Sequence, residues 1–183
     1  MRQPRISFPG ALHHIYSRGN GQQSIFLSSQ DRRDFLGILS EVNSTYSWIC
    51  HSYCLVGNHY HLLIETPTGK LSEGMQLLNG AYCARFNYRH DRIGHVVQGR
   101  FHSPLVTRES HFLELLRYMA LNPVKANLAQ HPGEWRWSSF RAFAGLIPFP
   151  PFLTSDLALD MFSSDIDDAR SQYIAFVLEK LGE

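Results

Sequence analysis

Two short patterns in the 183-residue sequence hold side chains able to act together in chemistry. The first is His59-Tyr60-His61, inside the run Leu55-Val56-Gly57-Asn58-His59-Tyr60-His61-Leu62-Leu63-Ile64. On a strand, residues i and i+2 share a face, so both imidazoles can point at one metal ion. The bland alternative is two partly buried histidines hydrogen-bonded within a sheet. The second pattern is Tyr118-Met119-Ala120-Leu121-Asn122-Pro123. Positions i and i+4 lie on one helix face, so a phenol and an amide can be presented together. A phenol titrates near ~10 and is a poor nucleophile at neutral pH; it needs a base, or an electrophile already polarised by a metal. Here too a structural alternative stands. Tyr118 can extend an apolar face made by Phe112, Leu115 and Met119, and Asn122 can cap a following helix with Pro123 at its first position.

A third pattern is Gln98-Gly99-Arg100-Phe101, with Arg85, Arg89, Arg92, Arg108, Arg117 and Lys125 around it in sequence. The planar guanidinium fork suits phosphate oxygens. Interleaved Tyr82, Phe86, Tyr88, Phe101, Trp135 and Trp137 can stack on bases of a single strand, or they can form a core beneath a solvated basic face. Cys50-x-x-x-Cys54, Cys83 and His51 make an incomplete zinc set and read as buried thiols. The sequence holds no Walker loop, no dinucleotide fingerprint and no serine-hydrolase elbow.

These residues need elements to position them. Residues 11–17 alternate as a strand, with Leu12, His14 and Tyr16 on one side and Ala11, His13, Ile15 and Ser17 on the other. After the turn at Gly19-Asn20-Gly21, Ser29 or Asp31 can cap a helix carrying Phe35, Leu36, Leu39 and Val42 at helical spacing. Residues 47–56 and 59–66 read as antiparallel strands joined across Gly57-Asn58. A helix follows over about 71–90, then an extended stretch at 96–106 broken by Gly99 and Pro104. A third helix starts near Ser110 and is ended or redirected at Asn122-Pro123, with a short helix following to about Ala129. The order β-α-β-β-α-β fits an α+β, ferredoxin-like sandwich: one antiparallel sheet with helices on one face. Pro148-Phe149-Pro150-Pro151 marks a boundary before a last helix near 167–181.

Composition sets the outer limits. Apolar residues are 44% and charged residues 18%, an ordinary globular balance. Three cysteines exclude a disulfide scaffold and favour a reducing compartment. No apolar run approaches the ~18 residues of a membrane span. Met-Arg-Gln-Pro-Arg leads into no apolar segment, so no signal peptide is expected and the default location is cytoplasmic. The net charge of +1 hides an asymmetry. Residues 146–183 carry seven acids and two bases, leaving 15 bases and 9 acids in residues 1–145, so a +6 body is joined to a −5 tail. A positive body suits a polyanion.

Taken in order, Leu55-Val56-Gly57-Asn58-His59-Tyr60-His61-Leu62-Leu63, Gln98-Gly99-Arg100-Phe101, Tyr118-x-x-x-Asn122-Pro123-Val124-Lys125-Ala126 and Trp137-Ser138-Ser139-Phe140 resemble the HUH single-tyrosine transposases. The branch they resemble is the REP-associated tyrosine transposases, over about residues 8–145. The middle residue of the histidine motif is usually a bulky apolar one in that family; here it is Tyr60. The resemblance implies a ferredoxin-like fold, a divalent cation (Mg or Mn) and a tyrosine that cuts single-stranded DNA through a 5′-phosphotyrosine. It makes Tyr118 the nucleophile and His59 and His61 the metal ligands, with Asn122 as the third. Gln98, Arg100, Arg108, Arg117 and Lys125 become DNA contacts. The implied partner is single-stranded or hairpin DNA, the location cytoplasmic and nucleoid-associated, and the state a monomer or homodimer with its site built from one subunit or two. Residues 146–183 carry no such resemblance and are set apart from a 1–145 nuclease domain as an acidic extension. Other classes remain: a replication initiator or relaxase with the same core, a domesticated hairpin-binding protein without catalysis, and an enzyme of another kind on the same sheet. Of the eight tyrosines, Tyr60 is the first substitute should Tyr118 fail, although strand alternation turns it away from the histidines.

Overall fold

The alternation at residues 11–17 becomes a strand, β1 (Ala11–Arg18), in the computed structural model, which describes residues 7–182. The opening Met-Arg-Gln-Pro-Arg stretch and Glu183, both used above, lie outside the described residues. β2 (Ile49–Leu55) and β3 (His59–Thr66) complete an antiparallel sheet ordered β1-β3-β2. β3 pairs on both edges, so its central residues are buried. The register sets Tyr16 and Cys54 on either side of His61, and Arg18 opposite His59. Directly opposed residues share a face. One face therefore carries His14, Tyr16, Arg18, His59 and His61, and the other carries Ile15, Tyr60, Leu62 and Ile64.

Helices α1 (Ser29–Tyr46) and α2 (Leu71–Arg89) cover the Tyr60 face. The N-cap of α1 is Ser28, not Ser29 or Asp31. Its side chain accepts from Asp31 N while Asp31 accepts from Ser28 N at 2.7 Å, a reciprocal capping box. Asp31 also holds Arg89 and His90 at the end of α2, which ties the two helices together. Phe35 packs 4.7 Å from the Tyr60 ring, and Tyr60 Oη donates to Asn79 Oδ1 at 2.8 Å. Tyr60 is fully buried there, on the side strand alternation predicts.

Three further sequence expectations need correction. The helices do not all lie on one face: α3 (Glu109–Lys125) covers the opposite face, with Phe112 against His51, Tyr118 against His61 and Asn122 against His59. Its apolar stripe needs a partner surface, and α1 and α2 already occupy the other side of the sheet. Second, residues 96–106 do not form a continuous strand. They meet β1 and the residue after it through isolated bridges, at His13–Leu105, Tyr16–His102 and Gly19–Val97. Backbone rungs at Gln98 N to Arg18 O and His102 N to Tyr16 O set Gly99, Arg100 and Phe101 opposite the single residue Ser17. Gly99 is left-handed (φ 63°), which throws these residues outward as a bulge, and Pro104 has no N–H to donate. Third, α3 does not end at Asn122-Pro123. Pro123 lies inside the helix, which runs to Lys125 and closes where Asn127 turns left-handed (φ 55°), so no separate helix follows to Ala129.

The remaining chain wraps the β2 edge. Trp137 O accepts from Leu55 N, and Ser139 N donates to Tyr53 O. Ser52 and Ser139 hydroxyls meet at 2.7 Å. The Trp-Ser-Ser-Phe motif is thus an edge clamp ahead of α4 (Phe140–Phe143). Beyond the proline stretch, Leu153 pairs with Cys50, then α5 (Asp156–Asp160), absent from the sequence reading, and α6 (Ile166–Leu178) follow. Tyr173 of α6 is buried between Phe140 and Phe143, so the acidic tail joins the same core as the sheet.

Candidate active site

Strand pairing and α3 bring the two chemical patterns of the sequence to one point. His59 and His61 face α3, and Tyr118 and Asn122 project from it one helical turn apart. His59 Nε2 lies 3.1 Å from Asn122 Oδ1, and His61 Nε2 lies 3.4 Å from Tyr118 Oη. The other nitrogen of each ring is held from behind: His59 Nδ1 is 2.7 Å from Asn58 Oδ1, and His61 Nδ1 is 3.0 Å from His14 Nε2. Asn58 Oδ1 can only accept, so His59 carries its proton on Nδ1 and leaves the Nε2 lone pair facing Asn122. The same assignment for His61, with Nδ1–H donating to His14, directs its Nε2 lone pair into the cleft.

Electrostatics keep these rings neutral. Burial, then the neighbouring His14, His59 and Arg18, push the His61 imidazole down to about 2. Burial and His111 lower His14 to about 4. Burial also lowers His59, partly offset by Asn122 Oδ1, which can accept from Nε2 when the ring is protonated. Burial holds the Tyr118 phenol above its ordinary range, against the pull of Asn122 and Arg18.

A metal would fit this donor set. Two imidazole lone pairs and an amide oxygen converge, and His59 Nε2 and Asn122 Oδ1 are both acceptors, so a cation between them satisfies both. Among the described residues, no three His, Cys, Asp or Glu side chains converge in this way. Cys50 and Cys54 are buried thiols, Cys50 pushed up to about 12 by burial.

The site floors an open cleft of about 1100 Å³. One wall is β1, through His14, Tyr16 and Arg18; the other is the bulged segment, through Gln98, Arg100, Phe101 and His102. None of the lining residues is acidic. Of the expected DNA contacts, Gln98 and Arg100 are brought to this cleft, whereas Arg108 and Lys125 sit exposed at opposite ends of α3. Arg117 faces away: it is buried, stacked 3.7 Å over the Phe176 ring and bonded to Glu179 at 3.0 Å. Helix geometry explains this, since the residue beside Tyr118 points to a different side of α3. Of the six candidate stacking aromatics, Tyr82, Phe86 and Trp137 are buried in the core, Phe101 and Trp135 pack partly buried against it, and Tyr88 is exposed.

Five site residues were missed from sequence: Asn58, His14, Tyr16, Arg18 and His102. His14 and Tyr16 alternate with Arg18 on the strand face that pairs with His61, so their signal was present but needed the register. Tyr16, not Tyr60, is the second tyrosine of the cleft, its ring 5.8 Å from His61.

Comparison with known proteins adds a lineage. Residues 11–110 match the family model "Transposase IS200 like", a stretch that includes both histidines and ends before Tyr118. No curated protein matches the chain. Among solved structures, the fold is similar to a REP-associated tyrosine transposase bound to a REP hairpin: TM-score 0.68, 15% identity, covering 86% of this chain and 93% of that one. A putative transposase from Deinococcus radiodurans aligns at 14% identity and TM-score 0.46, over 70% of this chain and 98% of its own. The tRNA(His) guanylyltransferase of Saccharomyces cerevisiae aligns at 7% identity and TM-score 0.51, over 100% of this chain and 82% of its own.

Proposed function

Since the chain belongs to the IS200-like transposase family, we propose that it cuts and rejoins single-stranded DNA beside a hairpin, with Tyr118 as the nucleophile. The observation that carries this is the convergence of His59 Nε2, His61 Nε2, Asn122 Oδ1 and Tyr118 Oη on one point, with both imidazoles held from behind by Asn58 and His14. One chain supplies all four groups, which supports a site complete within a monomer; a homodimer is compatible with it. The bulged segment stands in for the outer strand of a ferredoxin-like sheet. On this reading residues 1–145 hold the nuclease machinery, and 146–183 buttress it through α6.

A divalent cation, Mg or Mn, held by His59, His61 and Asn122 would neutralise charge on the scissile phosphate. Tyr118 Oη attacks phosphorus, a phosphorus–Oη bond forms, and the bond to the 3′ oxygen breaks. The phenolic proton passes through cleft water to that 3′ oxygen. The product is a 5′-phosphotyrosine and a free 3′ hydroxyl, and because a phosphodiester is exchanged for a phosphodiester, reversal rejoins DNA without a nucleotide cofactor. Asn122 orients the phenol, and α3 fixes its distance from the histidines. Arg18 and Arg100 supply the positive charge that a phosphate backbone requires, with Gln98 beside them. Arg108 and Lys125 extend that charge along α3. The relative's REP hairpin supports a folded single strand as the substrate here.

The test is incubation with a labelled single-stranded hairpin and Mn. An adduct that survives boiling in detergent, absent with excess chelator and with a blunt duplex of the same sequence, is the expected outcome. Equal cutting of the duplex, or cutting in chelator, contradicts the reading.

A further inference from the structure

We propose that Tyr16 and His102 form a stacking seat for one unpaired base of the DNA strand, beside the phosphate that Tyr118 attacks. This rests on the reading of the cleft as a site that cuts single-stranded DNA. The two rings lie face to face, 4.8 Å apart and 9° from parallel. Their alignment is fixed by backbone: Tyr16 N donates to His102 O at 3.0 Å and His102 N to Tyr16 O at 2.9 Å. A ring pair held by two reciprocal rungs is rigid, so little ordering entropy is lost when a base docks on it.

Its position and exposure argue for a ligand rather than for packing. Tyr16 covers one face of His102, yet His102 remains exposed and lines the cleft. A pair that served only the core would be buried, as the Phe35–Tyr60 pair is on the other face of the sheet. The platform begins where the catalytic groups end, with the Tyr16 ring 5.8 Å from His61 and 5.2 Å from His14. The polar groups around it match a nucleotide. Gln98 and Arg100 line the same wall on the bulged segment. The Gln98 amide offers a donor and an acceptor to a base edge, and the Arg100 guanidinium suits the adjoining phosphate. The absence of acid from the lining fits an anionic strand. The bulge at Gly99-Arg100-Phe101 has a purpose on this account: it interrupts the ladder so that Arg100 rises over the cleft instead of lying flat along β1.

Base–aromatic stacking is worth a roughly 5- to 150-fold change in affinity. The experiment uses the full-length protein and a DNA hairpin with a single-stranded tail. The tail is made intact and as a series with one abasic nucleotide at each position. Dissociation constants are measured for the wild type, His102→Ala and His102→Phe, and adduct formation with Mn is followed in parallel. We expect His102→Ala to bind the intact tail at least 5-fold more weakly and His102→Phe to bind like the wild type. One abasic position near the cut should weaken the wild type by the same factor and abolish the difference between wild type and His102→Ala. An alanine variant that binds like the wild type overturns the proposal, as does a loss that is equal on intact and abasic tails. The two readings separate cleanly. Adduct formation without base dependence at His102 removes the stacking seat and leaves the nuclease; base-dependent binding without any adduct removes the nuclease and leaves the seat.

Discussion

Removing His14 should weaken metal binding more than removing any other residue that is not itself a ligand. His14 Nε2 holds His61 Nδ1 at 3.0 Å, and its ring is stacked 5.1 Å from that of His61. Without it, His61 loses the acceptor that keeps its proton on Nδ1, and the tautomer with Nε2 protonated cannot ligate. Loss of such an outer partner costs about 10- to 100-fold in metal affinity. His14 is only 9% exposed, so water replaces it poorly, and His14→Ala belongs near the upper end, at about 2 to 3 kcal/mol. Asn58 performs the same task for His59 from a more open position, so Asn58→Ala belongs near the lower end. The assay is titration with Mn(II), reading free ion by electron paramagnetic resonance, with Tyr118→Phe as the variant that should bind normally. His14→Ala binding Mn as tightly as the wild type, or Asn58→Ala costing more than His14→Ala, would refute the reasoning.

Other perturbations bear on the fold and on α3. Burial pushes the Asp31 carboxyl up, but bonds from His90, Arg89 and Ser28 outweigh it and hold the group at about 2, below its usual 3.8. Its contribution, roughly 2 kcal/mol, is therefore present above about pH 4 and lost as pH falls towards 2; denaturant melts of wild type and Asp31→Asn should converge across that window, and parallel curves would be evidence against the assignment. Gly74→Ala would place a Cβ 2.2 Å from Cζ2 of buried Trp48, so it should cost about 1–3 kcal/mol and lower the melting temperature by several degrees. Gly80→Ala, with nothing within 4 Å, should leave the protein as stable or more so. Asn122→Ala should reduce adduct formation at least tenfold with little change in melting, because Asn122 lies inside α3; the reverse result, a loss of ~1 kcal/mol with full activity, would restore the capping role.

The legibility of the sequence varied with the range of the interaction. His59 and His61 were readable because strand alternation is local, and Tyr118 and Asn122 because helical spacing is local. That Tyr60 faces away from the histidines followed from the same rule. His14 and Tyr16 needed the β1–β3 register, which is a long-range fact. The bulge at Gly99 was signalled by glycine and Pro104, but its consequence, a wall of the cleft in place of a strand, depends on rungs to Arg18 and Tyr16. Arg117 shows the limit most plainly. Its charge and its place beside Tyr118 suggested DNA, but Phe176 and Glu179, about sixty residues later, turn it into the anchor of α6. Pro123 misled in the other direction: proline statistics favour a helix end, and the packing of α3 on the sheet carries the helix through it.

The central claim is that Tyr118 is the residue joined to DNA, and the direct test is to map the bond. The adduct formed with a single-stranded hairpin and Mn would be digested with protease and nuclease, and the peptide bearing the nucleotide sequenced by mass spectrometry. The account predicts phosphonucleotide on Tyr118 alone, and no adduct from Tyr118→Phe that still binds the hairpin. A nucleotide on Tyr16, the other tyrosine of the cleft, or an adduct of undiminished yield from Tyr118→Phe, would contradict it.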